Sequence, residues 1–151
     1  MGFKVKILQQ IKVGRSRILL SKTLGLGAAC PTANVSGSIY QGQGLYINAS
    51  ATLGGEVELD DFVSVNRAAS IGHHTVLEAF ATVGPGATLA SQCIVGKRVM
   101  IGAGAVVAPS VKIGEGATVA AGAVVFRDVE AGVTVLGNPA QQSRPGVTSQ
   151  D

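Results

Sequence analysis

Tryptophan is absent, and two tyrosines and four phenylalanines bring the aromatic share to only 4% of 151 residues. A chain that is nevertheless 46% hydrophobic must build its core from thin aliphatic layers, and the composition is that of one core-rich domain. Cysteine is nearly absent too. Cys30 and Cys93 are the whole complement, too few and too far apart for the disulfide framework of a small secreted fold, which points to a reducing cytoplasm. No apolar run approaches the length of a membrane span, and no charged start followed by an apolar stretch and a cleavage site reads as a secretory signal. Acidic residues are missing from the first 55 positions. Lys4, Lys6, Lys12, Arg15, Arg17 and Lys22 give that part +6, and the remainder, with six basic and nine acidic residues, is 6 − 9 = −3. A basic start of this kind can serve a nucleic acid or a membrane surface, but no aromatic residues interleave with the charges to stack bases. The same stretch has a simpler reading: Phe3 to Val13 alternates like a strand, Gly14 interrupts it, and Arg15 to Leu26 carries Ile18, Leu19, Leu20 and Leu24 as a short helix. Neither nucleic acid nor membrane is an expected partner.

Helical stripes and simple strand alternation are also lacking beyond that start. In their place is a period of six. From Val35 to Glu130 the chain divides into sixteen hexads without an insertion, and fifteen open on Val, Ile or Leu, with Gln41 the exception. Self-similarity at this period is the signature of a hexapeptide β-helix. Three hexads make one coil of a triangular prism with short parallel strands as faces, and successive coils stack about 4.8 Å apart. The opener and the fifth residue point inward, which places Cys93, a fifth-position residue, in the core. Corners take Gly and Asn, residues that tolerate positive φ. Both ends of such a stack need covering to hide strand edges. The strand-helix start is expected to cap one end, and Gly137-Asn-Pro-Ala140 to finish the other ahead of a polar, mobile tail over residues 141–151.

Specific segments carry a resemblance. Val65-Asn-Arg-Ala-Ala-Ser-Ile-Gly-His-His-Thr-Val-Leu-Glu-Ala-Phe-Ala-Thr-Val-Gly-Pro-Gly-Ala87, Ile101-Gly-Ala-Gly-Ala-Val-Val107, Ala120-Ala-Gly-Ala-Val-Val125, Arg127-Asp-Val129 and Gly137-Asn-Pro-Ala140 resemble the sugar acyltransferases that include sialic acid O-acetyltransferase and the bacterial UDP-amino-sugar N-acetyltransferases. The resemblance covers residues 29–140 and implies an all-β fold, a left-handed parallel β-helix of hexapeptide repeats with a short N-terminal strand-helix cap. The hand is an exception to the right-handed crossover rule. It further implies that residues 1–28 are the remnant of a Rossmann-like nucleotide-sugar domain most of which is missing here, that residues 29–140 form the acyltransferase domain, and that the protein is a homotrimer acting on a small-molecule sugar acceptor with acetyl-CoA as acyl donor.

The implied general base is His73. It takes the proton from an acceptor amine or hydroxyl as that group attacks the acetyl-CoA thioester, a task suited to an imidazole. Asn66 matches an active-site position of the family. The residue after the base is ordinarily Asp or Glu, which orients the imidazole; here it is His74. Coil arithmetic offers a substitute, because 74 − 18 = 56 puts Glu56 one coil away on the same corner. Ser91, at 73 + 18, matches a position whose backbone N–H supports the thioester oxygen as charge develops. Thr82, Ala103 and Ala121 match positions that contact CoA. The eighteen-residue spacing extends the small-residue column as Pro85, Ala103, Ala121 and Pro139, and Arg144 is a candidate for the nucleotide phosphates. Two other classes stand beside the acyltransferase. One is a non-enzymatic or catalytically degenerate scaffold, favoured by the missing domain and by His74; the other is a trimeric zinc enzyme, which needs three His ligands that two adjacent histidines supply poorly, so no metal site is expected.

Overall fold

A strand of two residues has too few hydrogen bonds to persist alone, so a chain made of such strands is stable only where each is paired on both sides. The computed structural model describes residues 5–7, 28–35 and 39–143, and there all but the strands at the ends of the sheets meet that requirement. Twenty strands, nearly all of two residues, form three sheets, with no helix among the described residues. Val76–Leu77 pairs in parallel with Glu58–Leu59 before it and Ile94–Val95 after it; Thr82–Val83 and Thr88–Leu89 do the same on the other two faces. Each pairing joins residues eighteen apart. The three hexads between partners carry the chain once around, and the fold is the expected left-handed parallel β-helix.

The side-chain pattern follows the hexads. Every opener from Ile47 to Val125 and every fifth residue from Ile39 to Val129 is buried. Leu53, Ile71, Leu77, Leu89, Ile101 and Ile113 are the largest of the fully buried side chains, each contributing roughly 1.5–3 kcal/mol by leaving water. The turns between strands are where local preference and fold disagree. All fourteen fourth-position residues from Gly44 to Gly122 have positive φ, and nine of them are not glycine. None is Asn: the corner residues Asn48 and Asn66 stand at second positions, without positive φ. The stacking itself supplies the compensation: from Phe62 onward the fourth residue donates its N–H to the third residue of the preceding coil, as in Phe62 to Gln43 O and Arg98 to Ala79 O.

The register fails once. The last coil has sixteen residues, for Ile113 bridges Val129 and Thr118 pairs with Thr134. The sixteenth hexad therefore does not complete a regular coil. At this end Thr134–Leu136 turns back into Gln141–Gln142 as an antiparallel pair, while Val124 N–H donates to Gly137 O and Ala140 N–H to Val124 O. Two exposed edges are covered by this turn. At the other end Val5–Ile7 lies antiparallel to Ile39–Gln41. The expected helix at residues 15–26 lies outside the described residues. No helix of the described residues is long and apolar enough to cross a membrane.

Candidate active site

Three corners run the length of the prism, and two of them carry most of the sequence-selected residues. The corner between the third and first faces carries Gly54-Gly-Glu56, Gly72-His-His74 and Ala90-Ser-Gln92 on successive coils. Its stacking is direct: His74 N–H donates to Gly55 O at 3.1 Å and Gln92 N–H to His73 O at 2.9 Å. The coils approach so closely that a Cβ on Gly54 would lie 2.7 Å from His73 N, and one on Gly72 would lie 2.5 Å from Ser91 N. Glycine at these two places lets the backbone on either side close onto the histidine corner. Glu56 precedes His74, and Ser91 follows His73, at the same places on adjacent coils.

Both histidines are exposed. Their rings meet edge to face, with centroids 5.1 Å apart at 88° and Nδ1 to Nδ1 at 2.9 Å. His74 sits at φ 57°, a region His, Asn and Asp enter more readily than most residues. Directly behind the pair is Thr75, the one hydroxyl among the fifth-position residues and fully buried. Its Oγ1 donates to Ala90 O at 3.1 Å and accepts from Cys93 N–H at 3.3 Å. Sequence reasoning did not single Thr75 out, although a polar residue in an otherwise apolar series was the available signal. Cys93 is core, as expected. Its Sγ reaches Ala90 O and Ala108 O, and burial pushes its thiol above the usual range.

The corner between the second and third faces carries Asn66, Pro85, Ala103 and Ala121. Asn66 turns inward, its Nδ2 donating to Val83 O at 3.0 Å. It supports the coil stack and, within one chain, is separated from His73 by the strand Ser70–Ile71. Ala103 and Ala121 are exposed at the corner, and their carbonyl ladder is intact: Gly104 N–H donates to Pro85 O and Gly122 N–H to Ala103 O. Thr82 lies half-buried on the adjoining second face between Ser64 and Met100. Pro139 does not continue the column, because the last coil is two residues short. It sits in the terminal turn and lines the open end of the prism with Val125, Phe126 and Val135. Arg144 lies outside the described residues. One chain thus brings together Glu56, His73, His74 and Ser91, and separately Thr82, Ala103 and Ala121.

The bacterial transferase hexapeptide (six repeats) family matches residues 74–108 and 92–127. No curated protein matches the chain. Among solved structures, PerB of Caulobacter crescentus in complex with CoA and GDP-perosamine is 34% identical, with a TM-score of 0.78, over 80% of this chain and 58% of its own. The acetyltransferase domain of PglB from Neisseria gonorrhoeae in complex with acetyl coenzyme A is 38% identical, with a TM-score of 0.75, over 78% of this chain and 57% of its own. WeeI of Acinetobacter baumannii is 29% identical over 78% of this chain, with a TM-score of 0.76. The chain spans between 57% and 58% of the length of these relatives. Over residues 74–127 its coils match the hexapeptide repeat of the bacterial transferase family.

Proposed function

We propose that this protein is an acetyl-CoA-dependent acyltransferase that moves an acetyl group to an amino or hydroxyl group of a sugar or nucleotide sugar, with His73 as general base. The observation that carries the reading is the likeness, at 34% and 38% identity, to two acetyltransferase structures holding CoA or acetyl-CoA. The exposed histidine corner gives that likeness a chemical centre. His73 Nε2 removes the acceptor proton as the acceptor attacks the thioester carbonyl. The tetrahedral oxyanion forms beside the Ser91 N–H, then collapses with cleavage of the C–S bond, and the CoA thiolate leaves and is protonated. Thr82, Ala103 and Ala121 hold the pantetheine arm, because small side chains at stacked corners let an extended ligand lie close to the backbone. Arg144 remains the candidate for the nucleotide phosphates. Asn66 acts by fixing its own corner, and Val5–Ile7 covers the strand edge at Ile39–Gln41.

In a thiol-release assay with acetyl-CoA, offered nucleotide-linked amino sugars, free amino sugars and sialic acids in turn, one acceptor class should support turnover. His73→Ala should then lose about 10²- to 10⁴-fold in kcat, the usual contribution of a general base, while keeping its fold. Full turnover in His73→Ala would remove the mechanism, and absence of acetyl-CoA binding would remove the function.

A further inference from the structure

The residue that stands where the family resemblance implies a carboxylate is an imidazole in direct contact with the base. Two Nδ1 atoms 2.9 Å apart can be joined only if one carries hydrogen and the other does not. Two protonated Nδ1 atoms repel, and two bare ones have no proton to share. The pair therefore holds one proton between the rings, and its placement decides the chemistry at both outer edges. If His74 Nδ1 donates, neutral His73 must carry its hydrogen on Nε2 and cannot accept a proton there. If His73 donates, its Nε2 lone pair is bare and His74 presents Nε2–H.

We infer that His74 is a positioning residue: its bare Nδ1 accepts the His73 Nδ1–H, locks His73 in the tautomer whose Nε2 is the base, and does by hydrogen bonding what a carboxylate would do by charge. The inference rests on the acyltransferase reading for the choice between the two tautomers. Backbone geometry holds the arrangement in place. His74 N–H is tied to the preceding coil and His73 O to the following one, and the left-handed φ of His74 belongs to a corner series the whole fold imposes. When His73 Nε2 takes the acceptor proton, the new positive charge is shared through the Nδ1–H···Nδ1 bond. Around the pair, the titratable groups in register are Glu56 and Glu58 on the preceding coil and the buried Cys93 thiol on the following one; Ser91 and Gln92 carry no charge. Glu56 holds the same fourth-position place on the preceding coil that His74 holds on its own.

The chain's two histidines make the test direct. In uniformly 15N-labelled protein, long-range 1H–15N correlations above the pH at which the rings stop titrating report each tautomer, with His73→Gln and His74→Gln as assignments. Hydrogen on Nδ1 of His73 and on Nε2 of His74 is the expected result; hydrogen on Nε2 of His73 overturns the inference. This arm needs no substrate, so it decides the tautomer even if no acyl transfer is found. Where turnover is measured, His74→Phe should lower kcat roughly 10- to 100-fold, the range for an orienting partner, with KM for acetyl-CoA unchanged. Phe is compatible with the corner, since Phe62 and Phe80 already occupy the same left-handed position. His74→Asp should retain turnover and move the acidic limb of the pH–rate profile to higher pH, because a negative neighbour favours imidazolium and the base must be unprotonated. Wild-type kcat in His74→Phe, or an unmoved limb in His74→Asp, overturns the positioning role.

Discussion

Thr75 and the two cysteines show how much one atom decides at a corner. The Thr75 hydroxyl satisfies the buried Cys93 N–H and binds the Ala90 carbonyl, tying the coil that carries His73 and His74 to the coil that carries Ser91. Val has nearly the same shape but no hydroxyl, so Thr75→Val leaves Cys93 N–H without that partner in the core. The expected loss is about 1–3 kcal/mol of stability, measured by urea denaturation at constant m-value. A change near zero would show that the hydroxyl is not needed to close the corner. Cys30 presents the opposite environment to Cys93. It is partly exposed, with Sγ 3.4 Å from Thr32 Oγ1, and that hydrogen bond lowers its thiol pKa. The thiolate is the reactive form, so alkylation of the native protein should modify Cys30 first and at lower pH, and reach Cys93 only on unfolding. Mass spectrometry of the alkylated protein checks the order, and equal rates would contradict it.

The corner turn is the element that repeats, and its cost is spread over the coils. A non-glycine residue in the left-handed region is disfavoured by Cβ contacts, by about 1–2 kcal/mol, and nine of the fourteen turns carry one. Gln92, at φ 64°, is exposed and lies on the histidine corner one coil beyond His74. Gln92→Val adds a β-branch that this region accommodates poorly and should be less stable than Gln92→Gly by at least about 1–2 kcal/mol. Gln92→Gly should be neutral or stabilising by comparison. Thermal unfolding of the two variants side by side checks the sign, and equal midpoints would mean that inter-coil hydrogen bonding, not φ, governs the turn. Phe62 and Phe80 show a second use of the turn. Their rings stack at 5.1 Å and 13° on the corner between the first and second faces, and Gly44 leaves room for Phe62 on the coil before.

For the whole molecule, the two groups of site residues stand on different corners of one prism. His73 and Ser91 lie on one, and Ala103 and Ala121 on another, with the third face between them. An acyl donor lying along the second group reaches His73 most simply when two prisms are set side by side, so that the donor corner of one meets the histidine corner of the next. A closed arrangement of such head-to-tail contacts is cyclic. Sedimentation at micromolar concentration should give a trimer, and a monomer that still turns over acetyl-CoA would require the whole site to form within one chain.

Most of the architecture could be read from the hexads, because a period of six states which side chains point inward and a coil of eighteen residues states which positions stack. Glu56 beside His74, and Ser91 beside His73, followed from that arithmetic alone, as did the burial of Cys93. Reading failed where the register or a rotamer intervened. Pro139 left the small-residue column because Ile113 bridges Val129, shortening the last coil by two residues, a change that no motif before it announces. Asn66 points to Val83 O, and only the packed coil shows that its amide is spent on the backbone. The His73–His74 contact is of the same kind. Neighbours in sequence can point apart or meet, and the left-handed φ that turns the second ring toward the first comes from coils stacked on either side. The sequence by itself determined the β-helix, its inward residues and which residues share the histidine corner, since these depend on periodic burial. The tertiary structure decided which nitrogen faces which, since that depends on a backbone conformation the isolated turn would not adopt.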